Sequence, residues 1–212
     1  MLGFKPERVL VLAPHADDGE LGCGGAIARF VESGARVHYQ AFSMCEDSVP
    51  PSFARDELER EMRLAVGVLG IPHENVIVHR YQVRRFHEQR QAILEDLLAS
   101  RRAIEPDVVL MPCTRDIHQD HQVVAAEAVR AFKNRTMLSY EMPWNNLELA
   151  TSAFIPLEAR HVDKKVGAFA CYRTQAHRPY SGREFAFSLA KVRGIQIGCE
   201  YAEAFECVRL VL

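Results

Sequence analysis

The sequence lacks the features that would assign it to a membrane, a nucleic acid or an oxidising compartment. No apolar run approaches the length of about 18 residues that spans a bilayer, and the first seven residues, MLGFKPE, contain no signal-peptide core. The 26 basic and 28 acidic residues are interspersed and form no basic stripe. Six cysteines occur without a CxxC pair, which favours reduced thiols. We therefore expect a cytoplasmic protein that binds neither nucleic acid nor membrane.

What the sequence does contain is a regular alternation of short apolar runs and helical patterns. Its 212 residues, 48% of them hydrophobic, suffice for one sizeable core, and without a linker they predict a single domain over residues 1–212. The apolar runs predict strands over 8–13, 36–43, 76–80, 107–112 and 136–141, with a last strand over 205–212. The helical patterns predict helices over 22–33, 53–69, 87–103, 119–133, 161–173 and 182–194. This alternation is typical of an α/β fold with a mostly parallel sheet.

Two clusters of histidine and aspartate, about a hundred residues apart, follow two of the predicted strands. The first is HADDGE at residues 15–20, and the second is HQDH at residues 118–121. In a doubly wound sheet of strand order 3-2-1-4-5, the first and fourth strands are neighbours, and ligands bind beyond the carboxyl ends of the strands where that order reverses. On that assumed order, we predict a site at the C-terminal ends of strands 1 and 4.

The spacing within the clusters predicts a metal site. His15 and Asp18 are three residues apart, so in a helical turn they share a face. Together with His121 they offer two imidazoles and one carboxylate, which leave an open position for water as a catalytic zinc ion requires. The same set also suits Fe²⁺ or another divalent metal, and the spacing does not choose between these ions.

The remaining residues of the clusters predict proton chemistry. Asp17 points away from Asp18 and is free to act as a general base. His118 is a candidate to stabilise an oxyanion or to protonate a leaving amine, with Asp120 orienting its ring. Glu20 either supports the ligands or favours the positive end of a helix dipole. The alternative interpretation is that Asp17 or Asp18 merely caps a helix, but two such clusters at two strand ends favour the metal site.

Other residues near these strand ends are candidates for binding substrate. Arg84 and Arg85 follow the third predicted strand, and Trp144, the only tryptophan, follows the fifth. Two arginines can fork a carboxylate or phosphate, and a tryptophan can stack on a sugar ring, which together suggest an anionic amino sugar. The alternatives are a solvated face for the arginines and a packed lid or a subunit contact for Trp144.

A glycine-rich run, GCGG at residues 22–25, has a structural interpretation instead. The third glycine of a dinucleotide-binding GxGxxG is missing, because position 27 is isoleucine. We predict that these glycines let the helix pack tightly below the metal loop. Cys23 and Cys113 are interpreted as small buried residues, since no neighbouring base activates either thiol.

Both clusters, with their flanking residues, resemble the LmbE-like or PIG-L family of zinc-dependent N-acetylglucosamine de-N-acetylases. The resemblance is carried by PHADDGELGCGG at 14–25 and DIHQDH at 116–121, with weaker matches at 61–70 and 201–205. It implies a Rossmann-like three-layer domain, zinc held by His15, Asp18 and His121, Asp17 as general base and His118 as its partner. The chain departs from the family pattern where Ala16 replaces a proline and where Gly19 is inserted before Glu20.

We therefore predict a zinc-dependent hydrolase that removes an N-acetyl or other N-acyl group from a small molecule containing an amino sugar. Its water would be activated by the metal, with Asp17 as the general base. Three alternatives stay open: an amidase acting on a thiol–sugar conjugate or an acylated antibiotic, a non-catalytic sugar- or nucleotide-binding module, and a redox Fe²⁺ protein. Many such folds self-associate, so a homo-oligomer is compatible with the sequence.

Overall fold

The computed structural model describes residues 5–211, which build one seven-stranded sheet flanked by six helices. The strands are β1 Arg8–His15, β2 Arg36–Ser43, β3 Val76–Val78, β4 Val108–Met111, β5 Thr136–Tyr140, β6 Ala153–Leu157 and β7 Tyr201–Arg209. The helices are α1 Asp18–Glu32, α2 Glu57–Leu69, α3 Arg90–Ile104, α4 Gln119–Ala131, α5 Ala159–Phe169 and α6 Arg183–Gln196. Every helix predicted from the sequence is present, with bounds shifted by a few residues.

The strand order is β3-β2-β1-β4-β5-β7-β6, so the sheet contains the assumed order 3-2-1-4-5. The first five strands of that series are parallel, whereas β7 pairs antiparallel with both β5 and β6. The predicted α/β fold with a mostly parallel sheet is thereby confirmed. Because β1 and β4 are neighbours, their carboxyl ends meet where the strand order reverses. Of the predicted last strand, Leu212 lies outside the described residues.

One strand, β6, was not predicted from the sequence. It lies at the edge of the sheet and contains Pro156, which cannot donate a hydrogen bond to a neighbouring strand. A proline is tolerated at an edge but argues against a strand when only the sequence is seen.

Three layers arise because alternate residues of each central strand face opposite sides of the sheet. Val9, Val11 and Ala13 of β1 face a core shared with α1, α2, α5 and α6. Leu10 and Leu12 face a second core shared with α3 and α4. None of the helices in residues 5–211 is long and apolar enough to cross a membrane.

The glycine-rich run brings α1 close to the sheet, as the sequence predicts. A Cβ atom at Gly22 would lie 2.3 Å from the Tyr140 ring, and one at Gly25 would lie 2.5 Å from Leu157. No side chain fits at either position without displacing its neighbour. Cys23 and Cys113 are both buried. The part of α1 that follows the first histidine–aspartate cluster is therefore fixed against β5 and β6.

Candidate metal centre

Three side-chain atoms form a nearly equilateral triangle at the carboxyl ends of β1 and β4. Asp18 Oδ2 lies 3.1 Å from His15 Nδ1 and 3.1 Å from His121 Nε2, and the two nitrogens are 3.2 Å apart. Ligand atoms at the usual zinc distances in a tetrahedron are about 3.3 Å from one another. The three residues are 8%, 4% and 1% exposed for His15, Asp18 and His121. These three residues, His15, Asp18 and His121, have the spacing and chemistry of a candidate site for a divalent metal and are called the ligand triad.

Local structure explains why the ligand triad forms. His15 is the last residue of β1 and Asp18 is the first residue of α1, so the tight turn between them brings both side chains to one point. The backbone N–H of His15 donates to Asp18 Oδ2 at 2.7 Å, which fixes the carboxylate. His121 lies in the first turn of α4, after the adjacent strand β4. The adjacency of two strands therefore assembles ligands that are far apart in the sequence.

Each histidine of the ligand triad contacts a carboxylate through the ring nitrogen that faces away from the triad. His15 Nε2 lies 3.1 Å from Asp120 Oδ2, and His121 Nδ1 lies 2.8 Å from Asp116 Oδ2. These contacts place the protons on the far nitrogens and leave His15 Nδ1 and His121 Nε2 free to bind metal. The sequence pattern alone gives Asp116 no role. The signal was its position, two residues before His118 on the same strand-to-helix connection.

The structure corrects the predicted contact of Asp120. Its carboxylate does not orient His118 but instead contacts His15 and accepts hydrogen bonds from the backbone N–H groups of Arg84, at 2.5 Å, and Phe86, at 3.3 Å. Because Asp120 lies in the first turn of α4, it is the backbone N–H of Asp120 that donates to His118 Nδ1, at 3.2 Å. Asp120 therefore acts on His118 through its peptide and on His15 through its carboxylate.

His118 lies beside the ligand triad as the N-cap of α4. Because its Nδ1 accepts a hydrogen bond, the proton of the neutral ring is on Nε2. Burial, together with the neighbouring His15 and His121, lowers the pKa of His118 to about 4. His118 also lies within 4.8 Å of the ligand atoms of His15 and His121, a looser limit than the spacing of the ligand triad. The ring is thus a neutral N–H donor at the edge of the metal site.

The two adjacent aspartates have opposite pKa shifts. Burial and the negative charge of Asp18 raise the pKa of Asp17 to about 6. Burial acts in the same direction on Asp18, but His121 and His15 outweigh it and hold the pKa of Asp18 far below its ordinary value. Asp17 occupies the N-cap position of α1, yet its side chain makes no capping hydrogen bond. Its carboxylate is therefore available to a substrate or a water molecule, as a general base must be.

Glu20 supports the loop that carries these aspartates. Its buried carboxylate accepts hydrogen bonds from the hydroxyls of Tyr39 and Tyr172, the second at 2.8 Å. Both hydroxyls also lie within hydrogen-bonding distance of the Ala16 carbonyl, at 3.1 and 2.8 Å. Burial raises the pKa of Glu20 to about 8. Glu20 thus belongs to a network that holds residue 16 in place, and the insertion of Gly19 does not remove it from the site.

A cleft of about 430 Å³ opens above the ligand triad. Asp17, His118, Arg84 and Trp144 line it. Arg85 does not line it, since its guanidinium pairs with Glu88 at 2.9 Å. Two further lining residues, Arg178 and Tyr180, come from the connection between α5 and α6. The Trp144 ring stacks on Tyr180 with centroids 3.8 Å apart, so one of its faces is already covered.

Comparison with known proteins places this site in a family. The family model described as PIG-L, GlcNAc-PI de-N-acetylase, matches residues 10–132, which include both histidine–aspartate clusters and more than half of the chain. The chain belongs to the PIG-L family. Its relatives include the uncharacterized deacetylase YaiS of Escherichia coli K12, which is 25% identical over 177 residues covering 80% of this chain and 92% of YaiS.

Two solved structures whose identity to the chain is lower share its fold. N,N'-diacetylchitobiose deacetylase from Pyrococcus horikoshii superposes with a TM-score of 0.79 at 18% identity, covering 95% of this chain and 83% of its own. GalB from Pseudomonas putida KT2440, a 4-carboxy-2-hydroxymuconate hydratase, also reaches 0.79 at 21% identity, covering 97% and 98%. The fold therefore hosts deacetylases and at least one hydratase, so the reaction must be argued from the residues of the site.

Proposed function

We propose that this PIG-L family protein is a zinc-dependent N-deacetylase that releases acetate from a small molecule containing an amino sugar. The observation that carries the proposal is the ligand triad beside Asp17, a half-buried carboxylate without a capping role. A protein that only bound sugar would need no such base. The family and its deacetylase relative support the same chemistry.

His15, Asp18 and His121 would hold the ion through Nδ1, Oδ2 and Nε2, with Asp120 and Asp116 fixing the two rings. The hard oxygen and the two imidazoles suit Zn²⁺ and leave room for water or substrate. When bound, zinc supplies Lewis acidity and makes water acidic enough to act as a nucleophile near neutral pH.

The protein's own residues then move protons and hold charge. Asp17 accepts the proton of the attacking water as its oxygen bonds to the amide carbon. The Nε2–H of His118 donates to the carbonyl oxygen as that atom becomes negative. As the C–N bond breaks, the nitrogen takes a proton, which Asp17, now protonated, is placed to return. The bond cleavage thus yields acetic acid and the amine, and at neutral pH the proton of the acid passes to the amine, so that the products, acetate and the ammonium form of the amino sugar, balance in atoms and charge.

The substitution Asp17→Asn tests the assignment of the base. The amide keeps the size of the side chain but cannot accept the proton, so we expect kcat/KM for acetate release to fall by about 10²–10⁴-fold. The zinc content per chain, measured by elemental analysis, should be unchanged. Asp56→Asn is the matched control, since Asp56 is also an N-cap without a side-chain capping bond, but on α2 and outside the cleft.

A rate near that of the wild type for Asp17→Asn would contradict the assignment. Substrates for the assay are N-acetylglucosamine and derivatives of it, with and without a chelator. Chelator-sensitive acetate release would support the metal dependence. Stoichiometric zinc without release from any of these substrates would instead favour a binding module of the same fold.

A further inference from the structure

We propose that Arg84 and Arg178 together bind an anionic group, a carboxylate or a phosphate, on the substrate of this cleft. The inference rests on the proposed function, because it names the class of amino sugar that the site accepts. The two arginines come from different connections of the fold, β3–α3 and α5–α6, and both line the cleft that contains the ligand triad. They are called the arginine pair below.

The backbone at Arg84 is held in an unfavourable conformation. Its φ angle is +67°, in the left-handed region, which is strained for a residue other than glycine. The hydrogen bond from the Arg84 N–H to Asp120 Oδ2, which in turn holds His15, accounts for the backbone geometry. It does not account for the side chain, since glycine would adopt the same conformation without strain and make the same bond. The presence of an arginine there calls for a role of its guanidinium.

The Arg84 guanidinium is largely unpartnered. One nitrogen, Nη2, donates to Ser48 Oγ at 2.9 Å, and within residues 5–211 no carboxylate forms an ion pair with it. Its neighbours in sequence differ, because Arg80 pairs with Glu46 and Glu59, and Arg85 pairs with Glu88. A guanidinium has five N–H donors. Most donors of Arg84 are therefore free to contact a ligand in the cleft.

Arg178 adds a second cation to the same cleft. Its Nε donates to Gln175 Oε1 at 3.3 Å, and across the described residues it too forms no ion pair with a carboxylate. Tyr180, two residues later, stacks on Trp144, which anchors this connection to the one that follows β5. Arg178 thus belongs to a segment that is packed against the opening of the cleft.

The charge of the lining favours an anion. Asp17 and Asp18 are the carboxylates among the described residues that line the cleft, and Asp18 is engaged with both ligand histidines. A bound divalent cation would offset those two negative charges. The two positive charges of the arginine pair would then remain uncompensated. Arginine binds carboxylate and phosphate through paired N–H donors. Both anions fit this chemistry, and the experiment distinguishes them.

The test compares charged and neutral substrates that share the N-acetylglucosamine unit. For the zinc-loaded enzyme, kcat/KM for acetate release is measured with N-acetylglucosamine 6-phosphate, N-acetylmuramic acid and N-acetylglucosamine. We expect Arg84→Gly to reduce the ratio of charged to neutral kcat/KM by about tenfold or more, and Arg178→Ala to reduce it in the same direction. The glycine relaxes the backbone and retains the N–H, so the melting temperature and zinc content should not fall.

Arg85→Ala is the matched control, an adjacent arginine that pairs with Glu88 outside the cleft, and it should leave the ratio unchanged. An equal loss on charged and neutral substrates, or no change in the ratio, would overturn the proposal. If only the phosphate or only the carboxylate substrate shows the preference, the proposal stands and the anion is identified. Raising the salt concentration should weaken the preference, because salt screens exposed charges.

A binding measurement separates this proposal from the failure of the proposed function. Calorimetry with glucosamine 6-phosphate and glucosamine requires no turnover. A preference for the phosphate that is lost in Arg84→Gly would support the arginine pair even if no acetate were released from any substrate. No preference in the wild-type protein, by calorimetry and by kinetics, would overturn it even if deacetylation were established.

Discussion

The ligand triad and the rim of the cleft are held by the fold in different ways. The triad lies at the end of β1 and in the first turns of α1 and α4, it is buried, and each of its donor atoms has a partner within 3.2 Å. The rim residues Arg84, Trp144 and Arg178 lie on connections, and the two arginines are exposed. Regular elements fix what must be precise for chemistry, whereas connections carry what can vary between substrates.

A substitution within the ligand triad should have the largest effect on zinc affinity and on acetate release. We expect Asp18→Asn to lower zinc affinity by more than about hundredfold and to abolish acetate release, because the amide supplies no charge opposite two histidines. Metal titration measures the zinc affinity, and elemental analysis after dialysis measures the zinc that the variant retains. Retention of stoichiometric zinc by this variant would mean that His118 completes a different ligand set with His15 and His121.

A substitution of Asp120, whose carboxylate contacts His15, should have a smaller effect on zinc affinity and on kcat. Asp120→Asn keeps one acceptor oxygen for one of the two N–H groups of Arg84 and Phe86, which bind different oxygens of Asp120, and it removes the charge that contacts His15. We expect a loss of about 10–100-fold in zinc affinity or in kcat. Asp96→Asn is the control, since the Asp96 carboxylate also contacts a histidine, His79, but lies outside the cleft. Equal losses from both substitutions would show a general loss of stability instead of a specific effect on His15.

The sequence alone could predict the triad for a physical reason. A tight turn after a strand brings residues 15 and 18 together, and the neighbouring positions of strands 1 and 4 bring in residue 121. None of these steps depends on a long-range detail of side-chain packing. The strand order itself had to be assumed, and the structure confirms it.

The rim could not be predicted to the same extent. The sequence cannot distinguish the role of Arg84 from that of Arg85, because both are arginines next to each other. In the structure, the backbone at Arg84 is left-handed and Arg84 lines the cleft, whereas Arg85 pairs with Glu88. That backbone follows from a hydrogen bond to Asp120, which is 36 residues away. Arg178 lines the cleft from a connection whose Tyr180 stacks on Trp144, a contact between two connections that no local pattern encodes.

A substitution of His79 should have the smallest effect, and that effect should be on stability. The His79 imidazole also pairs with a carboxylate, but it lies outside the ligand triad. His79 Nδ1 lies 3.2 Å from Asp96 Oδ2, as His121 Nδ1 lies beside Asp116, but the other nitrogen of His79 faces the amide of Gln40 instead of a metal position. Burial lowers the pKa of His79, and the nearby Asp96 only partly offsets this. The pair should therefore influence stability and not catalysis.

Because the folded protein binds a proton on His79 less readily than the unfolded chain, stability is lost as the pH falls through the ordinary histidine pKa of about 6.5. In His79→Gln this loss is removed. We expect the melting temperature of the wild type to fall more steeply between pH 7.5 and pH 5.5 than that of the variant. The difference should be at most about 2–4 °C, the equivalent of about 1 kcal/mol for a domain of this size. Parallel pH profiles would contradict the stability role. A change in zinc content or in kcat would break the distinction between a metal-facing imidazole and one that merely packs.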